Sequence, residues 1–451
     1  MHYDPFYDSE EDPNSSCRKN SPFKDMYGEN IFDWVPSHLQ TLEPSTFGHY
    51  GCDSPKALVD LMMDKMNKIQ PDVDVILVSG DYLAHGFAAK DEGKSHMKEI
   101  KETLKYVFVD ILSAKFPNAI ILPALGNNDI KYHYRAPTQD DDAPEYYSYF
   151  ADVLFNQVSG NKKIDSEMIK QDFLTRGYYR YDYDFPTYSD GYYLSFLSLN
   201  SLYYNLVTPS TEQNILTEQL DWLEHHLSTA EDDRKFVIFF HIYPGEYQVH
   251  KETYFWDEES TTRFINIVET YDKNVAIILG AHTHFSDVRI NSASKSQSSK
   301  FLKSEDSNDD VAKMAILITP SITPIFLNNP GFTTFKIEDN FVRDVKMTFF
   351  NLDLFPESAG DATFNQLDYE KELGIETFTP KHVEEFMNRL EDSWVFFYRY
   401  LAHKVGFRGI LEPFGVAMHY MLGSIGIFDK TVFMCASKYI KKDEYHKCIG
   451  S

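Results

Sequence analysis

The stretch that decides the fold is VAIILGAHTH, at residues 275–284. Its apolar run ends abruptly in two small residues, and His282 and His284 follow. An unbroken apolar run of this length is typical of a strand that is buried on both faces, as in a parallel sheet covered by helices. His-x-His directly after such a strand places both imidazoles on one side of the backbone. The stretch therefore predicts an α/β fold with ligand groups at the carboxyl end of a strand.

Three earlier apolar runs end in the same way, each at a residue type that binds metal ions. Because the carboxyl ends of neighbouring parallel strands meet at one edge of a sheet, these side chains are expected to converge. Singly, each has an ordinary alternative, a turn for Gly80-Asp81 and a hydrogen-bonded core histidine for His241. The four motifs together, in one order, predict a single site. The runs are 75–78 before Gly80-Asp81, 119–125 before Gly126-Asn127, and 236–240 before His241.

Carboxylate, amide and imidazole side chains are the ligand set of a two-metal site, in which one carboxylate is shared between the ions. The overall charge favours the same interpretation. Lys and Arg number 43 against 69 Asp and Glu, which gives a formal net charge of −26. This balance leaves no broad cationic face for nucleic acid. An anionic phosphate substrate needs local positive charge, and a metal pair supplies about four such charges.

Four cysteines fall into two pairs, Cys17 with Cys52 and Cys435 with Cys448. None has the short spacing of a zinc ribbon, so two local disulfides are preferred over four reduced, buried thiols. Disulfides predict an oxidising compartment, and residues 14–16 form a candidate glycosylation sequon. No signal peptide opens the sequence, and no run of about 18 uncharged apolar residues predicts a membrane span.

Predicted helices lie between the strands, and a helical tail follows them. Ser54-Pro55 begins a helix with an N-cap residue and a proline in the first turn, and residues 94–114 and 217–228 are further candidates. The last strand is expected to end near residue 355, which divides the chain into a catalytic domain at 1–355 and a helical subdomain at 356–451. The tail carries apolar residues at spacings of three and four: Val383, Phe386, Leu390, Trp394, Phe397 and Leu401.

The strand-end motifs together resemble the signature of the metallophosphoesterases, which have the calcineurin-like fold. Within that superfamily, five further stretches resemble the acid sphingomyelinase-like phosphodiesterases, and the similarity spans nearly the whole chain. The resemblance implies a four-layer α/β fold, a β-sandwich flanked by helices, followed by a helical C-terminal subdomain. It also implies two divalent metal ions and a secreted or lysosomal/vacuolar location. Zinc is the metal that members of this family typically bind. The stretches are residues 2–7, 50–55, 241–245, 320–324 and 329–332.

The resemblance also implies a ligand set, with one departure from the family pattern. The first motif of the family is Asp-x-His, and here the carboxylate two residues before His2 has no counterpart. Since this position coincides with the missing signal peptide, the hypothesis is a gene model that begins inside the motif; a weakened or single-metal site is the rival. The ligands carried over are Asp81 as the bridge, His2 and His284 on one ion, and Asn127, His241 and His282 on the other.

A second departure concerns the proton donor for the leaving group. The family usually has His after the metal-bound Asn, where this chain has Asn128, and an amide cannot serve as that acid. His85, four residues after Asp81, matches another active-site histidine of the branch and is the preferred donor. Asn128 itself and His133, which lies on the same loop, are the further catalytic candidates.

The function implied is phosphodiester hydrolysis, in which a metal-bridged hydroxide attacks phosphorus in line and no covalent intermediate forms. The substrate is expected to be a small phosphodiester, a phospholipid or a nucleotide, with at most peripheral membrane contact and no protein partner. Tyr203-Tyr204 and Trp256 are candidates for the substrate cleft, with core packing as the default. Two alternatives stay open: an endopolyphosphatase-like hydrolase, because Asn128 resembles that related branch, and a catalytically weakened binding protein, because the first carboxylate is absent.

Overall fold

A computed structural model shows a mixed α/β architecture, which confirms the predicted fold class. The candidate sequon at residues 14–16 lies outside the described part of the chain. The structure describes residues 1–10, 17–18, 45–87, 97–137, 143–163, 166–183, 193–207, 213–248, 253–292, 312–338, 340–354, 356–406 and 429–450.

Short strands form the layers at the centre of the molecule. Most are rich in β-branched and aromatic residues, which fit a pleated and buried surface. In chain order they are β1 (Val75–Val78), β2 (Ile120–Pro123), β3 (Tyr179–Tyr183), β4 (Tyr193–Ser198), β5 (Arg234–Phe239), β6 (Val275–Gly280), β7 (Asp287–Ile290), β8 (Ala315–Ile318), β9 (Gly331–Glu338), β10 (Phe341–Phe350) and β11 (Phe364–Asp368).

The largest sheet has six strands in the order β3-β4-β5-β6-β8-β7. Its four central strands are parallel, whereas β3 and β7 are antiparallel at the edges. Phe239 of β5 pairs with Leu279 of β6, which pairs with Leu317 of β8, so these strands end side by side. His241 and His282 therefore leave the sheet at the same edge, as predicted from the apolar runs.

The remaining strands form a parallel pair, β1-β2, and an antiparallel sheet in the order β11-β10-β9. All four residues of β2 are buried, but those of β1 are only partly buried. The expectation that β1 is buried on both faces is therefore wrong. The cause is local: among the described residues β1 pairs with β2 alone, and it borders a cavity of about 700 Å³ that β9 also lines.

The three helices predicted between strands are present, with shifted ends. The first begins at Lys56 with Pro55 as its N-cap, and the second continues as a π-helix to Ser113. In chain order the α-helices are α1 (Lys56–Ile69), α2 (Met97–Lys105), α3 (Ala143–Asp152), α4 (Ser166–Arg176), α5 (Gln213–Ser228), α6 (Glu258–Thr270), α7 (Pro380–Asp392), α8 (Trp394–Lys404), α9 (Lys430–Lys438) and α10 (Lys442–Ile449).

The helical pattern predicted over residues 383–401 is divided at Ser393 into two helices, α7 and α8. This residue ends α7, and its hydroxyl accepts the backbone N–H of Phe396 as the N-cap of α8. Because the break interrupts the helical period, Trp394 is 54% exposed and does not continue the packed face. The strands also extend beyond residue 355, since β11 pairs with β10. The division of the chain at that point stays a prediction.

Covalent and ionic contacts fasten segments that are distant in the chain. Both predicted disulfides, Cys17–Cys52 and Cys435–Cys448, are formed. At the end of α8, the buried Nζ of Lys404 donates to Oδ2 of Asp287 in β7 at 2.8 Å, which ties the tail to the six-stranded sheet. Within the described ranges, no helix is long and apolar enough to cross a membrane.

Candidate metal centre

Two turns, at the ends of β1 and β2, bring Asp81 and Asn127 together. A Cβ on Gly80, where φ is +85°, would lie 2.7 Å from the backbone N of Gly126. A Cβ on Gly126 would lie 2.2 Å from the backbone N of Asp81, so this close approach requires glycine. The carboxylate of Asp129 then joins the turns, because it accepts three backbone N–H groups from the first and one from the second, at 2.6 to 3.2 Å.

Four of the predicted ligands have left-handed backbone conformations, which are uncommon for residues with a side chain. Such conformations cost about 1–3 kcal/mol each and cluster at functional sites. At this centre they redirect the side chains from the ends of separate segments towards one another. The residues are His2 (φ 48°), Asp81 (52°), His282 (74°) and His284 (66°).

Asp81, Asn127, His241 and His282 form the first group of donor atoms. Oδ2 of Asp81 and Oδ1 of Asn127 each lie 3.0 Å from Nε2 of His241. Nδ1 of His282 lies 3.2 Å from the same nitrogen. The other ring nitrogen of His241, Nδ1, donates to the carbonyl oxygen of Ser79 at 2.7 Å, so Nε2 turns its lone pair towards the group.

This first group fits a divalent metal ion. Two oxygens and two ring nitrogens face one another, and a single proton would satisfy only one of these contacts. The ligands of a tetrahedral zinc ion lie about 3.3 Å apart. The distances of 3.0 to 3.2 Å in the group are close to that spacing. Carboxylate, amide and imidazole donors also suit zinc, manganese and iron.

His2, His284 and Asp81 form the second group. Nε2 of His2 lies 3.1 Å from Nε2 of His284 and 3.3 Å from Oδ2 of Asp81. Nδ1 of His2 donates to the carbonyl oxygen of Leu83 at 2.9 Å, which leaves Nε2 as the donor atom for a metal. Oδ2 of Asp81 therefore faces donors of both groups, as the bridging carboxylate of a metal pair does.

The electrostatic environment keeps the predicted ligands in the protonation states that can bind a cation. Burial, reinforced by the charge of His85, lowers the pKa of His2 to about 4. Burial, reinforced by His241, lowers the pKa of His282 to about 3, so both rings are neutral near pH 7 and keep their lone pairs. Burial alone would raise the pKa of Asp81, but His241 and His2 hold it well below its usual range. The bridging candidate is therefore ionised.

Two catalytic candidates, Asn128 and His133, contact predicted metal ligands directly. The backbone N–H of Asn128 donates to Oδ1 of Asp81 at 2.8 Å, and its side-chain amide donates to Oδ2 at 3.1 Å. Nδ2 of Asn127 lies 3.1 Å from Nε2 of His133. When His133 accepts this amide N–H, Oδ1 of Asn127 is the atom that faces the first group.

We expect His133→Ala to weaken metal binding about tenfold, the lower end of the range for loss of a residue that hydrogen-bonds to a metal ligand. Without that acceptor, the Asn127 amide is free to rotate and present its NH₂ group to the ion. The measurement is a titration of metal-free protein with Zn²⁺ in competition with a chromophoric chelator. His225→Ala, which removes an exposed histidine of α5, is the matched control. Equal affinities of the two variants would contradict a positioning role for His133.

A pocket of about 320 Å³ opens over both groups. No Lys or Arg is among the described residues that line it, and a bound metal pair would supply positive charge for a phosphate there. Tyr203-Tyr204 and Trp256 are buried core residues and do not line this pocket, in agreement with the default expectation. Its aromatic walls are Tyr134, Tyr247, Phe255 and Phe326.

The sequence patterns missed two contacts at the site. The hydroxyl of Tyr134 lies 3.4 Å from Nε2 of His282, and Oδ1 of Asp53 lies 3.0 Å from Nδ1 of His85. Both residues come from loops, where neither strand nor helix periodicity applies. The available signal for Asp53 was its position in the stretch 50–55, which resembles the phosphodiesterase branch.

Comparisons with known proteins agree with this geometry. The calcineurin-like phosphoesterase profile matches residues 29–286, more than half of the chain. Sphingomyelinase phosphodiesterase D of Dictyostelium discoideum is 26% identical over 314 residues, which are 68% of this chain and 63% of that protein. The chain thus covers less than two thirds of that relative. Acid sphingomyelinase-like phosphodiesterase 3b of Homo sapiens is 22% identical over 468 residues, which cover 100% of this chain and 88% of that protein.

A third relative is Cyclic GMP-AMP phosphodiesterase SMPDL3A of Bos taurus, which is 21% identical over 376 residues, 79% of this chain and 75% of that protein. The profile match covers β1, β2, β5 and β6, whose ends carry the first donor group. The chain belongs to the calcineurin-like phosphoesterase family.

Proposed function

We propose that this protein hydrolyses small phosphodiesters with two divalent metal ions, and that the ions are zinc. One observation carries the proposal: Oδ2 of Asp81 lies 3.0 Å from Nε2 of His241 and 3.3 Å from Nε2 of His2, so one oxygen serves both donor groups. When bound, the ions supply charge that binds the phosphate and lower the pKa of the attacking water. The histidine-rich ligand set supports zinc over magnesium or calcium.

His85 is the residue we assign to protonate the leaving oxygen. Its side chain is 24% exposed and lines the pocket, and its Nδ1 is held by Asp53, which leaves Nε2 for the substrate. Burial would lower the pKa of His85, but the Asp53 carboxylate outweighs burial and raises the pKa above its usual value. A protonated imidazole beside the metal pair is suited to donate a proton.

The pocket supports a small diester over a long polyanion. A chain of phosphates would place many negative charges along the protein, and no Lys or Arg among the described lining residues is present to meet them. The aromatic walls offer apolar and cation–π contacts to an organic substituent. Relatives named for sphingomyelin and for cyclic GMP-AMP support phosphodiesters that carry such substituents. The two disulfides support an oxidising location, either secreted or lysosomal.

Metal removal tests the proposal. Protein stripped with a chelator is expected to lose hydrolysis of bis(p-nitrophenyl) phosphate, and Zn²⁺ is expected to restore it as the second ion per chain binds. Elemental analysis and absorbance of released p-nitrophenolate give the two readouts. A chain that binds two ions and hydrolyses no diester would instead be a binding protein. Faster release of phosphate from polyphosphate than from diesters would favour the endopolyphosphatase alternative.

A further inference from the structure

The carboxylate of Asp53 contacts both the ring and the backbone of His85. Its Oδ1 lies 3.0 Å from Nδ1 of the ring, and its Oδ2 accepts the backbone N–H of His85 at 2.8 Å. The hydroxyl of Thr323 donates to the same Oδ1 at 3.2 Å, and the Asp53 side chain is wholly buried. A carboxylate at Nδ1 keeps the proton on that nitrogen and fixes the plane of the ring. The orientation of His85 is therefore set by a residue 32 positions earlier in the chain.

Arg18 contacts both His85 and Asp53. The guanidinium is fully buried, donates from Nη2 to the carbonyl oxygen of His85 at 3.1 Å, and lies 3.8 Å from Oδ2 of Asp53. Its Nε donates to Oδ2 of Asp4 at 2.6 Å, so one cation is shared by two buried carboxylates. Buried charges of this kind are tolerated only when they are paired and hydrogen-bonded.

A disulfide joins the segment that carries Arg18 to the segment that carries Asp53. Arg18 directly follows Cys17, Asp53 directly follows Cys52, and these cysteines form a disulfide across 35 positions of sequence. Both cysteines are buried, with at most 2% of their surface exposed. The bond therefore constrains the backbones that carry Arg18 and Asp53 next to each other.

We propose that the Cys17–Cys52 disulfide, Arg18 and Asp53 form one positioning unit that holds His85 in the orientation needed to protonate the leaving group. The unit does not touch the substrate and acts through His85. The inference rests on the proposed function, because it requires a leaving group that accepts a proton. It adds a purpose for the disulfide beyond its contribution to stability.

The test compares two esters that share the phosphocholine group and differ in the leaving group. p-Nitrophenol leaves without a proton, whereas glycerol, in glycerophosphocholine, needs one. Asp53→Asn is expected to lower kcat about 100-fold for glycerophosphocholine, within the range for loss of a general acid, and less than about threefold for the p-nitrophenyl ester. Thr323→Val, which removes only the supporting hydroxyl, is expected to shift the same ratio in the same direction by a smaller factor. An equal loss on both esters in these variants would overturn the inference.

The disulfide has a matched control within the chain. Cys17→Ala with Cys52→Ala is expected to lower the rate on glycerophosphocholine about tenfold more than on the p-nitrophenyl ester. This is less than the 10²–10⁴-fold contribution of a general acid, because His85 itself is retained. Cys435→Ala with Cys448→Ala removes the disulfide of the helical tail and is expected to leave the ratio unchanged. The same ratio in both double variants would overturn the role of the first disulfide. A wild-type protein that binds two ions and cleaves neither ester would overturn the proposed function itself.

Discussion

With His85 replaced by alanine, kcat for an alkyl phosphodiester is expected to fall about 10²–10⁴-fold, the usual contribution of a positioned general acid. An alkoxide is strongly basic and leaves slowly unless it gains a proton as the bond breaks. The p-nitrophenolate of an aryl ester is a weak base, so that reaction is expected to slow far less. Metal content, measured by elemental analysis, is expected to stay at the wild-type value.

The competing assignment is that His85 is a ligand of the second ion. Its ring lies with His2 and His284 in one cluster whose donor atoms are within 4.8 Å of each other. However, the rings of His85 and His2 are stacked at 4.1 Å with only 12° between their planes. Lone pairs of parallel rings point in nearly parallel planes and converge poorly on one ion. Loss of one ion per chain in His85→Ala would contradict the acid role; His225→Ala should match wild type in both readouts.

Asp81→Asn is expected to reduce hydrolysis of aryl and alkyl esters alike, by more than the 10–100-fold typical of outer-shell changes at metal sites. The reason is that Oδ2 of Asp81 faces both donor groups, and the substitution replaces a charged bridge with a neutral amide. The two variants differ in how the loss of rate depends on the leaving group. His85→Ala slows alkyl esters far more than aryl esters, whereas Asp81→Asn weakens binding of both ions and slows both kinds of ester.

A two-step metal titration, followed by isothermal calorimetry, checks this expectation. Both binding steps of Asp81→Asn are expected to weaken relative to wild type. Asp72→Asn, which neutralises an exposed carboxylate just before β1, is the matched control for the loss of one negative charge. Loss of a single step, with the other unchanged, would show that Asp81 binds one ion and does not bridge.

Much of the fold and of the candidate metal centre was predictable because a buried parallel strand leaves a strong local signal. The run before His241 and the run before His282 and His284 are apolar on both faces and end abruptly, which also locates the ligands. The partial burial of β1 was not predictable, because a run of four apolar residues is the same sequence signal whether the strand pairs with one neighbouring strand or with two. The break at Ser393 was missed because apolar spacing continues across it, and only the capping hydrogen bond ends the helix.

The sequence by itself indicated the α/β class, the two disulfide pairs, and the carboxylate, amide and imidazole groups at successive strand ends. The tertiary structure alone decided how those groups are oriented. It places His133 against the amide of Asn127, and it places Asp53 and Arg18 behind His85. The physical reason is that residue type and strand ends are local properties of the chain. The direction of a hydrogen bond between loops depends on how distant segments pack, and no local pattern records it.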